Sequence, residues 1–150
     1  MDRLPRRHFL KVLAATAAMP PLVSAAAGCS SSATAPETFG DVSGGTVASL
    51  PVGSLVVVTG VSAAIGRDAK GVYAMTLTCT HQGCDIATRG AVAPSGVSCS
   101  CHGSTFDANG NVTGGPASGP LAHFAVTADS AGNLTVHGSQ QVDSATRLSV

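Results

Sequence analysis

Cys79-Thr80-His81-Gln82-Gly83-Cys84 and Cys99-Ser100-Cys101-His102-Gly103-Ser104 are the two stretches on which the reading of this chain turns. Each contributes one Cys-His pair, Cys79 with His81 and Cys99 with His102, and 17 residues separate His81 from Cys99. Two thiolates and two imidazoles suit either zinc or a [2Fe–2S] cluster. Structural zinc fingers more often group Cys with Cys and His with His, at wider internal spacing. A mixed Cys-His order repeated twice favours the cluster, with two Cys on one iron and two His on the other. The order alone leaves open which ligand goes to which iron.

Outward from the two boxes the pattern is that of short strands. Leu55-Val56-Val57-Val58-Thr59 is a β-branched run bounded by Gly53 and Gly60, and Gly71 to Leu77 is a second run ending where the cysteines begin. Gly90 to Ser98 holds one or two short strands broken by Pro94-Ser95-Gly96. Ala108-Asn109-Gly110-Asn111 reads as a hairpin turn, because Asn-Gly takes positive φ readily. Ser130-Ala131-Gly132-Asn133 is another, ahead of the alternating Leu134-Thr135-Val136-His137. No segment after residue 38 sustains helical periodicity with caps, so the domain reads as antiparallel all-β. Composition agrees: aromatics are 3% of 150 residues, against 18 Gly and 8 Pro.

One competing motif is excluded. Val57-Val58-Thr59-Gly60-Val61-Ser62-Ala63-Ala64-Ile65-Gly66 looks like the glycine-rich turn of a dinucleotide-binding unit. That turn needs a helix next, whose first amides face the pyrophosphate. Here Arg67-Asp68-Ala69-Lys70-Gly71 is a turn and a strand follows.

C-T-H-x-G-C followed by C-x-C-H-G-S resembles the paired signature of Rieske proteins of the cytochrome bc complex and arsenite oxidase small-subunit type. The likeness spans residues 52–138. It takes in Ile65-Gly66-Arg67-Asp68 and Val72-Tyr73-Ala74-Met75 before the first box. After the second it takes in Phe106-Asp107, Gly110, Gly114-Gly115-Pro116-Ala117 and Pro120-Leu121. The resemblance implies an antiparallel β-sandwich with a cluster-binding subdomain of two loops, and one [2Fe–2S] cluster. It implies that Cys79 and Cys99 ligate the inner iron, that His81 and His102 ligate the outer one, and that Cys84 and Cys101 form a disulfide. Cytoplasmic Rieske oxygenases lack that last pair, which places the chain with the exported branch.

Ser104 matches a serine whose hydroxyl bonds a bridging sulfide in the family. Phe106 is a departure, because high-potential members carry a tyrosine there that donates to a ligating cysteine sulfur. One such bond, favouring the reduced state by ~1 kcal/mol, is worth about 40 mV for one electron. A potential below the top of the family range is expected. The departure also weakens assignment of the partner complex as a standard quinol oxidase.

The N-terminal residues 1–28 read as an address. Arg6-Arg7-His8-Phe9-Leu10-Lys11 resembles a twin-arginine export signal, and no charge follows between Lys11 and Glu37. Residues 1–28 hold four basic side chains against Asp2, a net of +3, so the remaining residues carry −3. A mildly acidic domain behind a basic leader argues against nucleic-acid binding, which requires a basic patch. Ala26-Ala27-Gly28-Cys29 resembles a lipoprotein cleavage box with Ala in place of the usual Leu. Lipidation at Cys29, ordinary cleavage and retention as an anchor stand as three alternatives. Residues 29–37 form a flexible tether and residues 38–150 the Rieske domain.

The function expected is one-electron transfer at the outer face of the cytoplasmic membrane or in the periplasm, as a redox subunit of a quinol-oxidising or other envelope oxidoreductase complex. A redox partner protein is implied, such as a cytochrome b or c or a periplasmic oxidoreductase, with quinol as a candidate donor and no nucleic acid. Four protein ligands leave iron no open position, so a self-contained enzyme is disfavoured. The alternative from another class is a zinc-stabilised structural or binding module. His123 and His137 lack Cys neighbours and read as strand residues; Asp85 and Asp107 read as loop or turn residues.

Overall fold

The computed structural model describes residues 38–150, which contain β1 (Asp41–Thr46), β2 (Ser54–Val57), β3 (Ala63–Asp68), β4 (Gly71–Thr76), β5 (Gly90–Ala93), β6 (Gly96–Cys99), β7 (Ser104–Asp107), β8 (Val112–Gly114), β9 (His123–Ala128) and β10 (Asn133–Val142), with one α-helical turn, α1 (Ile86–Arg89), and one 3-10 turn (Val47–Ser49). The leader, the tether and Cys29 lie outside the described residues. A six-stranded sheet runs β1-β10-β9-β4-β3-β2 and a four-stranded sheet runs β5-β6-β7-β8, every pairing antiparallel. Among the described residues, no helix is long and apolar enough to cross a membrane.

The central strand explains how the boxes are delivered. All six residues of β4 are buried, because β3 and β9 flank it and apolar groups cover both faces. Successive strand residues point to opposite faces. Val72 and Ala74 therefore enter one core, with Ile65, Phe124, Leu134 and Val136. Tyr73 and Met75 enter the other, and the same alternation past the strand end carries Leu77 and Cys79 into it. That second core also holds Val97, Cys99 and Phe106 from the smaller sheet. The two sheets thus share a core in which Cys79 and Cys99 are embedded.

The predicted hairpins form, and for a local reason. Asp107 accepts from the backbone N–H groups of Asn109 (2.8 Å) and Asn111 (2.9 Å), and from the Asn111 side chain (2.9 Å). Asp129 repeats this with Ala131 N–H and Asn133 N–H, both 2.9 Å, and the Asn133 side chain at 2.7 Å. Both turns are D-x-x-G-N, an Asx geometry that closes the chain on itself. The break at Pro94-Ser95 separates β5 from β6. Four features went unforeseen. They are β1, the 3-10 turn Val47–Ser49, the turn α1, and a C-terminal segment in which Leu148 exchanges backbone hydrogen bonds with Val72 at 2.8 and 2.9 Å.

The C-terminal segment also locks the smaller sheet's hairpin in place. Arg147 lies 4.2 Å over the Tyr73 ring and donates to Asp68 (2.8 Å) and to the Asn109 side-chain oxygen (2.5 Å). The Tyr73 hydroxyl donates to the Ala108 carbonyl at 2.8 Å, and the His123 ring bonds the Asn109 carbonyl at 3.1 Å. His123 is 2% exposed on β9 and stacks on Tyr73.

Candidate metal centre

Both boxes are built as the same turn. The Cys79 carbonyl accepts from Gly83 N–H at 2.8 Å, and the Cys99 carbonyl accepts from Gly103 N–H at 3.0 Å. Gly83 (φ 70°) and Gly103 (φ 76°) sit in the left-handed region, which lets each loop reverse beneath its histidine. The first box is fixed from below. Cys79 N–H donates to the Cys84 carbonyl, and Ile86 N–H donates to the Leu77 carbonyl.

Asp85 caps α1 and makes three side-chain bonds, accepting from Ser62 (2.6 Å), Ala87 N–H (3.0 Å) and Thr88 (2.9 Å). Burial works to raise its carboxyl, but those bonds outweigh it and hold the group below the usual carboxylate value of 3.8. The second box starts at the end of β6 and re-enters β7, so Cys99 and Ser104 are directly paired across the ladder.

The candidate ligands fall into a buried pair and an outer pair. Cys79 and Cys99 are free and 1% and 2% exposed. His81 is half-buried, His102 is exposed, and their rings meet edge to face with centroids 4.7 Å apart. Burial pushes the Cys99 thiol up and the Cys79 sulfur adds to this, while the N–H groups of Cys101 and His102 pull the other way. Cys84 and Cys101 form a disulfide between the boxes, with Cα atoms 6.7 Å apart. A third loop closes over the first box. Thr80 donates to the Gly119 carbonyl (2.6 Å), and Ser118 donates to the Thr80 carbonyl (2.7 Å).

A metal group fits this donor set. Among the described residues, three buried side-chain polar atoms have no hydrogen-bond partner, and two of them, His81 Nδ1 and Ser104 Oγ, belong to the boxes. An unpaired buried polar atom costs about 1–3 kcal/mol, so two at one site call for a bonding partner there. The sulfurs of Cys84, Cys99 and Cys101 also lie within 4.8 Å of one another. That trio makes no metal site, because two of the sulfurs are bonded to each other.

Phe106 is 3% exposed, pairs with Val97 across the ladder and packs in the same core as Cys79. His137 lies elsewhere, on β10, hydrogen-bonded to Asp41 and Thr127 at 2.9 Å each. An open cleft lined by Phe39, Val57, Val61, Ser62 and Thr88 includes none of the four candidate ligands. The capping role of Asp85 and the clamp on Asn109 were not foreseen. A D-x-x-T run after Cys84 signals the first in retrospect, and nothing local signals the second.

Comparison with known proteins agrees with this geometry. Residues 43–125 match the model of the Rieske [2Fe–2S] domain family. The cytochrome b6-f complex iron-sulfur subunit of Parasynechococcus marenigrum is 32% identical over 137 residues, covering 78% of this chain and 76% of that protein. The subunit of the same name from Synechococcus elongatus is 42% identical over 64 residues, 41% of this chain and 35% of its own length. The match thus spans about a third of that relative's length. Among solved structures, the ferredoxin of carbazole 1,9a-dioxygenase from Nocardioides aromaticivorans is similar over 66% of this chain and 98% of its own, with 25% identity and a TM-score of 0.45. With the family match extending through both boxes and the donor set intact, the chain belongs to the Rieske [2Fe–2S] domain family and carries one [2Fe–2S] cluster.

Proposed function

We propose that this chain transfers single electrons at the outer face of the cytoplasmic membrane, as the redox subunit of a quinol-oxidising or other envelope oxidoreductase complex. The observation that carries the reading is two buried free thiols, Cys79 and Cys99, beneath the outer imidazole pair of His81 and His102. In this reading Cys79 and Cys99 hold the inner iron, and His81 and His102 hold the outer one. When bound, such a cluster accepts and returns one electron at between about −150 and +300 mV, against about −400 mV for all-Cys plant-type clusters.

The chain's own residues set the conditions for transfer. The buried cysteines exclude water from one side of the site, and exposed His102 provides the route by which a partner reaches it. The Ser104 hydroxyl and the Cys101 and His102 amides are available to stabilise negative charge on sulfur. The disulfide and the Thr80–Ser118 contacts keep the loops together while the charge changes.

Supporting a membrane complex, the similar proteins of Synechococcus elongatus and Parasynechococcus marenigrum are iron-sulfur subunits of the cytochrome b6-f complex. The twin-arginine-like leader and Cys29 support export and lipid anchoring. The test is iron, sulfide and zinc analysis of the purified full chain, with a redox titration followed by electron paramagnetic resonance. Two irons, two labile sulfides and a reversible one-electron signal are expected. Stoichiometric zinc without visible absorbance overturns the reading.

A further inference from the structure

The three sulfurs of Cys84, Cys99 and Cys101 lie within 4.8 Å of one another, although only Cys84 and Cys101 are bonded. Cys99 is free and buried, at the last rung of the β6–β7 ladder opposite Ser104. Cys79, the other free thiol, is not in that group. A cysteine sulfur held against a disulfide is the arrangement from which thiol–disulfide exchange proceeds once the thiol ionises, and burial, which pushes the Cys99 thiol up, makes that exchange slow.

We propose that Cys99 is a built-in nucleophile for the Cys84–Cys101 disulfide, so that a chain without its cluster rearranges to a Cys84–Cys99 pairing and loses a ligand. The Cys99 thiolate forms a bond to the Cys84 sulfur as the Cys84–Cys101 bond breaks. The electron pair leaves on Cys101, which takes up the proton that Cys99 gave up. One disulfide and two thiols are present before and after, so no oxidant or reductant is consumed.

Attack on Cys84 is preferred to attack on Cys101. Bonding Cys99 to Cys101 closes a small ring across one intervening residue, which disulfide geometry opposes. Bonding Cys99 to Cys84 closes a loop close in size to the native one, whose cysteines are 17 residues apart, so the chain-entropy terms nearly cancel.

The inference rests on the proposed ligation in one respect: a Cys99 engaged in ligation is not free to attack. Cluster insertion then has to precede any long exposure of the paired disulfide to a free Cys99. The order of assembly becomes a property of three sulfurs rather than of an outside factor.

The experiment uses the full chain with Cys29→Ser, so that no further thiol competes. Iron and sulfide are assayed first; a chain isolated without them has Cys99 free from the outset and enters the same measurement, which separates failure of the ligation reading from failure of this one. The cluster is stripped by chelation without denaturant or thiol, under anaerobic conditions. Samples are acid-quenched over hours, the range of uncatalysed rearrangement, then alkylated and mapped as unreduced peptides. Cys84–Cys101 is expected to decline, with Cys84–Cys99 and alkylated Cys101 rising in step and the thiol count unchanged. Reloading with iron and sulfide is expected to fall by the same fraction and to return after dithiothreitol treatment. Cys99→Ser abolishes the exchange and Cys79→Ser leaves it. Persistence of Cys84–Cys101 alone beside an alkylatable Cys99 overturns the proposal. So does a loss of thiols, or an exchange that survives Cys99→Ser.

Discussion

Cys99 and Ser104 stand opposite each other at the rung where β6 gives way to β7, one a buried free thiol and the other a fully buried hydroxyl without a partner. That pairing puts the two side chains next to each other on one face of the ladder. A hydroxyl within reach of a cluster sulfur would stabilise its negative charge, and more in the reduced state than in the oxidised state. Ser104→Ala is therefore expected to lower the reduction potential by tens of millivolts, on the order of 40 mV for ~1 kcal/mol. Redox titration of both proteins measures it. An unchanged potential would place the hydroxyl out of reach of the cluster.

Asp85 anchors the first box to the loop between β2 and β3 through Ser62. Its carboxyl titrates below 3.8, so its ionised contacts contribute stability that is present above that value and lost as pH falls through the lowered one. Asp85→Ala removes a helix cap worth ~1 kcal/mol and leaves the Ser62 hydroxyl without its partner. Cluster absorbance in mild denaturant is expected to decay several-fold faster in the variant at pH 7. Equal half-lives would show that α1 does not support the box.

His123 is held neutral. Burial lowers its pKa from 6.5 and the Arg147 charge adds to this, while the bond to the Asn109 carbonyl and the charges of Asp143 and Asp107 oppose it. Protonation would leave the buried Nδ1 as a donor with no acceptor. Above pH 6.5 the ring is neutral in both folded and unfolded chains and adds no pH dependence. As pH falls below 6.5 the unfolded chain takes up the proton first, and stability drops by up to about 1.4 kcal/mol per unit until the lowered value is reached. Denaturant midpoints between pH 7.5 and 5 should show this slope, and His123→Gln should flatten it. A parent slope that survives the substitution would assign the effect to another group.

The same hairpin separates what the sequence discloses from what it conceals. Its D-x-x-G-N turn is legible because every group that closes it lies within five residues. The metal boxes are legible for a related reason, since ligation chemistry demands particular residue types at short spacing. Arg147 clamps the hairpin from 38 residues away, and β1 pairs with β10 across 96 residues at Asp41 and His137. Neither interaction leaves a local pattern. The single turn α1 is too short for helical periodicity to register; its cap is Asp85, which reads equally well as a loop residue. The burial of β4 on both faces follows only once β3 and β9 are known to flank it.

Phe106 offers the sharpest test of tuning. The ring is buried opposite Val97 and shares a core with Cys79, so a hydroxyl added at its tip enters a space closed to water. Two outcomes follow from the unforgiving nature of that space. If the new hydroxyl reaches the Cys79 sulfur, it stabilises the added electron density of the reduced state. Phe106→Tyr then raises the potential by about 40 mV, with little change in stability. If the hydroxyl finds no acceptor, the variant carries an unpaired buried donor and loses ~1–3 kcal/mol of stability, with the potential unmoved. Redox titration and a denaturant midpoint on the same two proteins separate the cases. The first outcome is expected, because Ser104-Thr105-Phe106 continues the β7 alternation that buries residues 104 and 106 on the cysteine side. A potential that falls, or one that stays fixed while the midpoint drops, would mean that the ring at 106 is directed away from the Cys79 sulfur.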